Sequence, residues 1–152
     1  VESVKGRREI AAEDYFKGLY ETAREANELL VEILIPVEKL GDVSVFLELA
    51  QRHGDFAMAG LACVARVSNK TFEDLRLVYF GSEDKPTLGT GAIAAVVGRT
   101  WSADCKEAAA NALANDLDPM TNLQGSAAMK LHLQKVLTGR ALDAAIERAG
   151  AA

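Results

Sequence analysis

The chain has 152 residues, 49% hydrophobic and 26% charged, which is enough for one compact core. Its net charge of −5 leaves no excess of Lys and Arg to neutralise phosphates, which argues against a general nucleic-acid binder. No run of about eighteen uncharged apolar residues occurs, so no membrane-spanning helix is expected.

The amino terminus, Val1 to Arg8, lacks the apolar stretch of a secretory signal and has no initiator methionine, as a processed, cleaved or subcloned chain would. Residues 1 to about 27 are polar, with aromatics at Tyr15, Phe16 and Tyr20. They predict a short strand at Arg8-Glu9-Ile10, a turn and an irregular connection, with little that forms a core. From Leu29 the pattern changes. Leu29-Leu30-Val31-Glu32-Ile33-Leu34-Ile35 is rich in β-branched and long apolar residues and predicts a strand stopped by Pro36, which cannot donate to a ladder. Between Val43 and Ala50 apolar residues alternate as in a strand, yet Val43, Phe46, Leu47 and Ala50 fit a helical face equally well. Ala57 to Val67 and Leu75 to Phe80 predict further strands, ended by the turn signal Ser68-Asn69 and by Gly81. Four such runs suit an antiparallel meander.

After Gly91 the chain turns alanine-rich and helical. Ala92 to Val97 predicts a short helix ended by Gly98. Ser102 is a natural N-cap for a helix carrying Cys105, Ala109, Ala112, Leu113 and Leu117, which runs out before Pro119. Ser126 caps a longer helix whose Met129, Leu133, Val136, Leu137, Leu142, Ala145 and Ile146 mark one apolar face. Strands first and helices afterwards predict an α+β fold: a small antiparallel sheet of three to four strands, one face packed against about three helices.

Chemistry-bearing motifs are few. There is no nucleophile elbow, Walker loop or dinucleotide glycine fingerprint, and neither a catalytic residue nor a metal site is expected. Gly89-Thr90-Gly91 reads as a turn before a helix. His132 lacks a second ligand at helical spacing and reads as a surface or boundary residue. Glu13-Asp14 and Glu83-Asp84 read as solvated loop charges. Cys63 and Cys105 lie far apart and match neither zinc nor iron–sulfur spacing; they read as small buried hydrophobes in a reducing cytoplasm. One loop stands out. Arg52-His53-Gly54-Asp55-Phe56 gathers a cation, an imidazole, a carboxylate and an aromatic ring between two apolar runs. Structurally, Gly54 permits a positive φ and Asp55 can accept from backbone amides in a turn. Functionally, the same loop can offer donors and a flat apolar surface to a ligand.

Four stretches in order resemble the carboxy-terminal domain of the flavin-binding middle (medium) subunit of carbon monoxide dehydrogenases and xanthine dehydrogenases. They are Glu13-Asp14-Tyr15-Phe16-x-Gly18-x-Tyr20-x-Thr22 with Glu28 to Pro36; Phe46-x-x-Leu49-Ala50-x-Arg52-x-Gly54-Asp55-Phe56-Ala57; Leu75 to Phe80 with Gly81; and Asp118-Pro119 leading to Gly125-Ser126-Ala127-Ala128-x-Lys130-x-x-Leu133-x-x-Val136-Leu137-x-x-Arg140-Ala141-Leu142. The resemblance implies that residues 43–50 are a strand. It implies that residues 1–27 are the tail of a preceding FAD-binding domain whose body is absent, and that 28–152 form the flavoprotein C-terminal domain. It also implies that the chain is part of a cytoplasmic molybdenum hydroxylase, an oxidoreductase whose other chains are a molybdopterin-binding large subunit and an iron–sulfur small subunit. FAD would be held mostly by the absent domain, with Asp55, Phe56 and Met58 beside the flavin here and Arg52 behind them. The resemblance places Met58 where xanthine dehydrogenases carry a lysine, and a thioether can pack on a ring edge but supplies no cation to stabilise a reduced flavin. The alternative is a purely structural, subunit-contacting domain that touches no FAD.

Overall fold

The computed structural model describes residues 1–151, which form two compact units, one ending at Glu38 and one beginning at Lys39. The first unit is built from short pieces. Strands β1 (Glu2–Ser3) and β2 (Gly6–Arg7) make a small antiparallel hairpin; α1 (Ala12–Tyr15) is a single turn, followed by the hairpin of β3 (Phe16–Gly18) and β4 (Glu21–Thr22). The hub is Glu28, a buried carboxylate gripped by Arg8 through Nε (2.6 Å) and Nη2 (2.7 Å), which also accepts from the Glu25 amide (2.7 Å). Arg8 thus works as a clamp, and the strand expected at Arg8-Glu9-Ile10 lies instead one step earlier, at Gly6–Arg7.

The strand expected over Leu29–Ile35 is also absent. Leu29 exchanges two backbone hydrogen bonds of 2.9 Å with Glu2, and the following residues run without a ladder partner, their apolar side chains exposed. Strand propensity describes a side chain's fit to a pleated, half-buried surface, and no strand of this unit pairs with residues 30–35 to supply one.

The second unit carries the sheet. β5 (Asp42–Leu49), β6 (Ala59–Ser68), β7 (Thr71–Phe80) and β8 (Thr87–Leu88) pair in that order, all antiparallel. The expected meander is therefore present, with β8 as its fourth member in place of the Leu29 run. The alternation at Val43 to Ala50 resolves as β5. Its Val45 joins Ala59, Leu61, Cys63 and Ala65 of β6 and Leu75, Leu77 and Tyr79 of β7 in the core. Asn69 and Lys70 both adopt positive φ (48° and 58°), the two-residue turn whose twist matches that of the strands it joins.

Three helices cover this inner face. α2 (Thr90–Ala94) packs on β7; α3 (Ala103–Asp116) packs on α2 and α4; α4 (Ala127–Ala151) lies across β5 and β6. Ser102 caps α3 by accepting from the Cys105 amide (3.3 Å), and Ser126 caps α4 by accepting from the Met129 amide (3.2 Å). Cys105, Ala109, Leu113 and Leu117 are buried as expected. The face of α4 is less apolar than expected. Leu137, Leu142 and Ala145 are buried but Met129 is exposed, and the buried positions include Lys130, Gln134 and Thr138, a polar row at spacing i, i+4, i+8. Thr138 donates to the Gln134 carbonyl and shares a 2.8 Å hydrogen bond with the Tyr79 phenol; Gln134 donates to the Phe80 carbonyl and to Ser82 Oγ, both at 3.1 Å.

Candidate functional site

The loop between β5 and β6, residues 50–58, is the place where exposed chemistry meets a fixed backbone. Its inner turn closes by the Asp55 amide donating to the Arg52 carbonyl (3.1 Å), with Gly54 at φ +91°, a conformation other residues adopt only with strain. Its base closes by the Met58 amide donating to the Leu49 carbonyl (2.8 Å). Two supports come from elsewhere in the unit. Gln124 Nε2 donates to the Phe56 carbonyl (3.2 Å), and Gly81, at φ +80°, lies so near that a Cβ there would sit 2.6 Å from the Ala57 carbonyl oxygen.

On this backbone Arg52, His53, Asp55 and Phe56 stand exposed, and Met58 is half-buried. Phe56 is 91% exposed, a large ring held out to solvent with no part in the core. The carboxylate of Asp55 takes no part in the turn; among the described residues the side chains of Arg52, His53 and Asp55 form no hydrogen bond or ion pair. All the residues expected at the site are therefore brought together on one loop. The sequence reading missed the two supports, Gln124 and Gly81, because their contacts join distant segments. The glycine after β7 was the signal available for one of them.

His132 is exposed, and no group of acidic, Cys and His residues among those described could hold a metal ion. Both cysteines are buried and free, and burial pushes the Cys63 thiol up to about 12. At Gly89-Thr90-Gly91 the turn is fixed by Asp116, which accepts from the Gly91 and Ala92 amides at 2.8 Å each. Glu83 departs from the solvated loop charge expected of it. Its Oε1 accepts from the Asp118 amide (2.5 Å) and its Oε2 is buried. No helix is long and apolar enough to cross a membrane among the described residues.

A four-stranded antiparallel sheet with one face covered by helices, presenting one exposed loop, defines an α+β domain. Residues 44–145 match the family model of the CO dehydrogenase flavoprotein C-terminal domain, and the chain belongs to that family. It is 31% identical over 148 residues to the carbon monoxide dehydrogenase medium chain of Hydrogenophaga pseudoflava, covering 97% of this chain and 52% of that one. It is 30% identical over 139 residues to the glyceraldehyde dehydrogenase medium chain of Sulfolobus acidocaldarius, covering 91% and 49%. Carbon monoxide dehydrogenase from H. pseudoflava superposes with a TM-score of 0.92 at 33% identity, over 97% of this chain and 51% of that one. Quinoline 2-oxidoreductase from Pseudomonas putida 86 gives 0.87 at 29%, over the same shares. The resemblance and the α+β fold read from sequence are both borne out. The chain spans about half the length of the relatives it matches.

Proposed function

We propose that the chain is the carboxy-terminal part of the FAD subunit of a cytoplasmic molybdenum hydroxylase, where residues 50–58 close one side of the flavin pocket. The observation that carries this is Phe56, an unburied ring on a loop pinned at Leu49, Gly81 and Gln124. The residues fit the edge of a planar, partly polar ring. Phe56 offers a flat apolar face, the Met58 thioether can pack on a ring edge, Asp55 can accept from a ring N–H, and Arg52 adds a cation behind them. They do not form a glycine-rich phosphate cradle, so the pyrophosphate falls to the other half of such a subunit. In this reading residues 1–27 are the tail of that FAD-binding half, and residues 28–152 the C-terminal domain.

Flavin accepts electrons singly and releases them in pairs, which suits transfer from iron–sulfur clusters to an external acceptor. This chain's own residues do none of that transfer. They exclude water from one side of the ring, hold it in place and set the acceptor's access. The partners in this reading are a molybdopterin-binding large subunit and an iron–sulfur small subunit. In the intact subunit, Asp55→Ala and Met58→Ala should change flavin retention or potential; unchanged flavin in both refutes the contact.

The second reading, a buttress that touches other subunits and no FAD, is favoured by the uncovered face of the sheet. There Phe46, 61% exposed, stacks on Phe80 with ring centroids 5.3 Å apart, and Val64 and Leu88 are exposed beside them. An apolar face of this kind suits contact with protein.

A further inference from the structure

Two residues of the buried polar row on α4 have different duties. Thr138 serves the sheet, where it meets the Tyr79 phenol of β7. Gln134, one turn earlier and 0% exposed, serves the chain where the sheet ends. The β6–β7 ladder closes at the pair Gly60–Phe80, and Gly81 is the first residue beyond it. Gln134 Nε2 reaches across that end and donates both of its protons, one to the Phe80 carbonyl and one to Ser82 Oγ, at 3.1 Å each. The two acceptors flank Gly81. The Met120 amide, donating to the Ser82 carbonyl at 2.9 Å, holds the same segment from another side.

Gly81 is where this segment meets the loop. A Cβ on it would lie 2.6 Å from the Ala57 carbonyl oxygen and 3.2 Å from the Ala57 Cβ, so the bare backbone already rests against Ala57. Ala57 stands between Phe56 and Met58. A packing contact of this kind has no direction of its own; its geometry is set by whatever fixes the two sides. The loop side is fixed where the Met58 amide meets the Leu49 carbonyl. The other side is fixed by Gln134, whose hydrogen bonds run through Nε2 alone, because Oε1 finds no donor among the described residues.

We infer that Gln134 is a positioning residue for the loop of residues 50–58, acting through Gly81 on Ala57 and so on Phe56 and Met58; its bearing on flavin rests on the function proposed above. Its hydrogen bonds go to residues 80 and 82 rather than to the loop, and what it supplies is the fixed course of the backbone between them.

Gln134→Met keeps the length of the side chain and removes both donors. Thr138→Val removes a hydrogen bond from the same buried row without touching residues 80–82, and serves as the control. In the full chain, protection of the Met58 amide against hydrogen exchange should fall about tenfold further in Q134M than in T138V. Equal protection at Met58 in the two variants overturns the inference. In the intact FAD subunit, Q134M should shift the flavin midpoint potential or lose flavin, while T138V keeps wild-type values. If Asp55→Ala with Met58→Ala moves the potential and Q134M does not, the positioning role fails and the flavin contact stands. If neither moves it, the flavin contact fails, and exchange at Met58 alone decides whether Gln134 positions the loop. Should Q134M not fold, Ser82→Ala, which removes one of the two acceptors, takes its place in both measurements.

Discussion

The Tyr79 phenol and the Thr138 hydroxyl meet at 2.8 Å between β7 and α4, both buried. Because Thr138 Oγ1 spends its own proton on the Gln134 carbonyl, Tyr79 must be the donor. Burial pushes the phenol's pKa up, which keeps that proton in place. The two partners are therefore not equivalent. Tyr79→Phe removes one donor and leaves Thr138 bonded, costing about 1 kcal/mol; Thr138→Val strands a buried phenol, costing about 1–3 kcal/mol. Urea unfolding of the two variants should rank them in that order.

Gly81→Ala should damage the loop's support more than the fold's core. Its φ of +80° strains any side chain, and the new Cβ would press on the Ala57 carbonyl. A loss of about 2 kcal/mol or more is expected. Amide hydrogen exchange should localise the loosening to residues 56–58 and 80–82.

The first unit should weaken in acid. The Arg8 guanidinium, then the Glu25 amide, hold the Glu28 carboxyl down at about 2. A depressed carboxylate stabilises above its unfolded value of about 4.3, and that contribution fades as pH falls toward 2. The protection of the Glu2 and Leu29 amides relative to their intrinsic exchange rates should fall from pH 5 to 2 in the wild type; in E28Q protection should be low throughout that window.

Cys63 and Cys105 should be silent toward thiol reagents in the native chain at pH 8. Burial raises the Cys63 pKa, and the thiolate is the reactive form; the Cys105 thiol is buried and donates to the Thr100 carbonyl (3.4 Å). Titration with a chromogenic disulfide should show both thiols only after denaturant is added.

Local signals carried much of this fold. Ser102 and Ser126 mark helix starts because capping is settled within three residues. Asn69 marks the β6–β7 turn because positive φ is a property of the residue itself. What the sequence hid depends on partners far along the chain. Leu29–Ile35 has strand composition, but past the Leu29–Glu2 bridge no strand of its unit pairs with it. Lys130, Gln134 and Thr138 share a helical face by spacing, yet their polar character reads as solvent-facing until Tyr79, Phe80 and Ser82 are seen opposite. The loop at Arg52 to Phe56 was legible because its unusual residues are contiguous, whereas Gln124, 68 residues away from Phe56, was not.

The most direct test of the flavin contact is the flavin midpoint potential of the intact FAD subunit carrying Asp55→Ala with Met58→Ala. A variant altered at Phe46, on the open sheet face, serves as control. The loop reading predicts a shifted potential or lost flavin in the loop variant alone. A loop variant with wild-type potential and full flavin content would contradict it and leave the domain as a buttress.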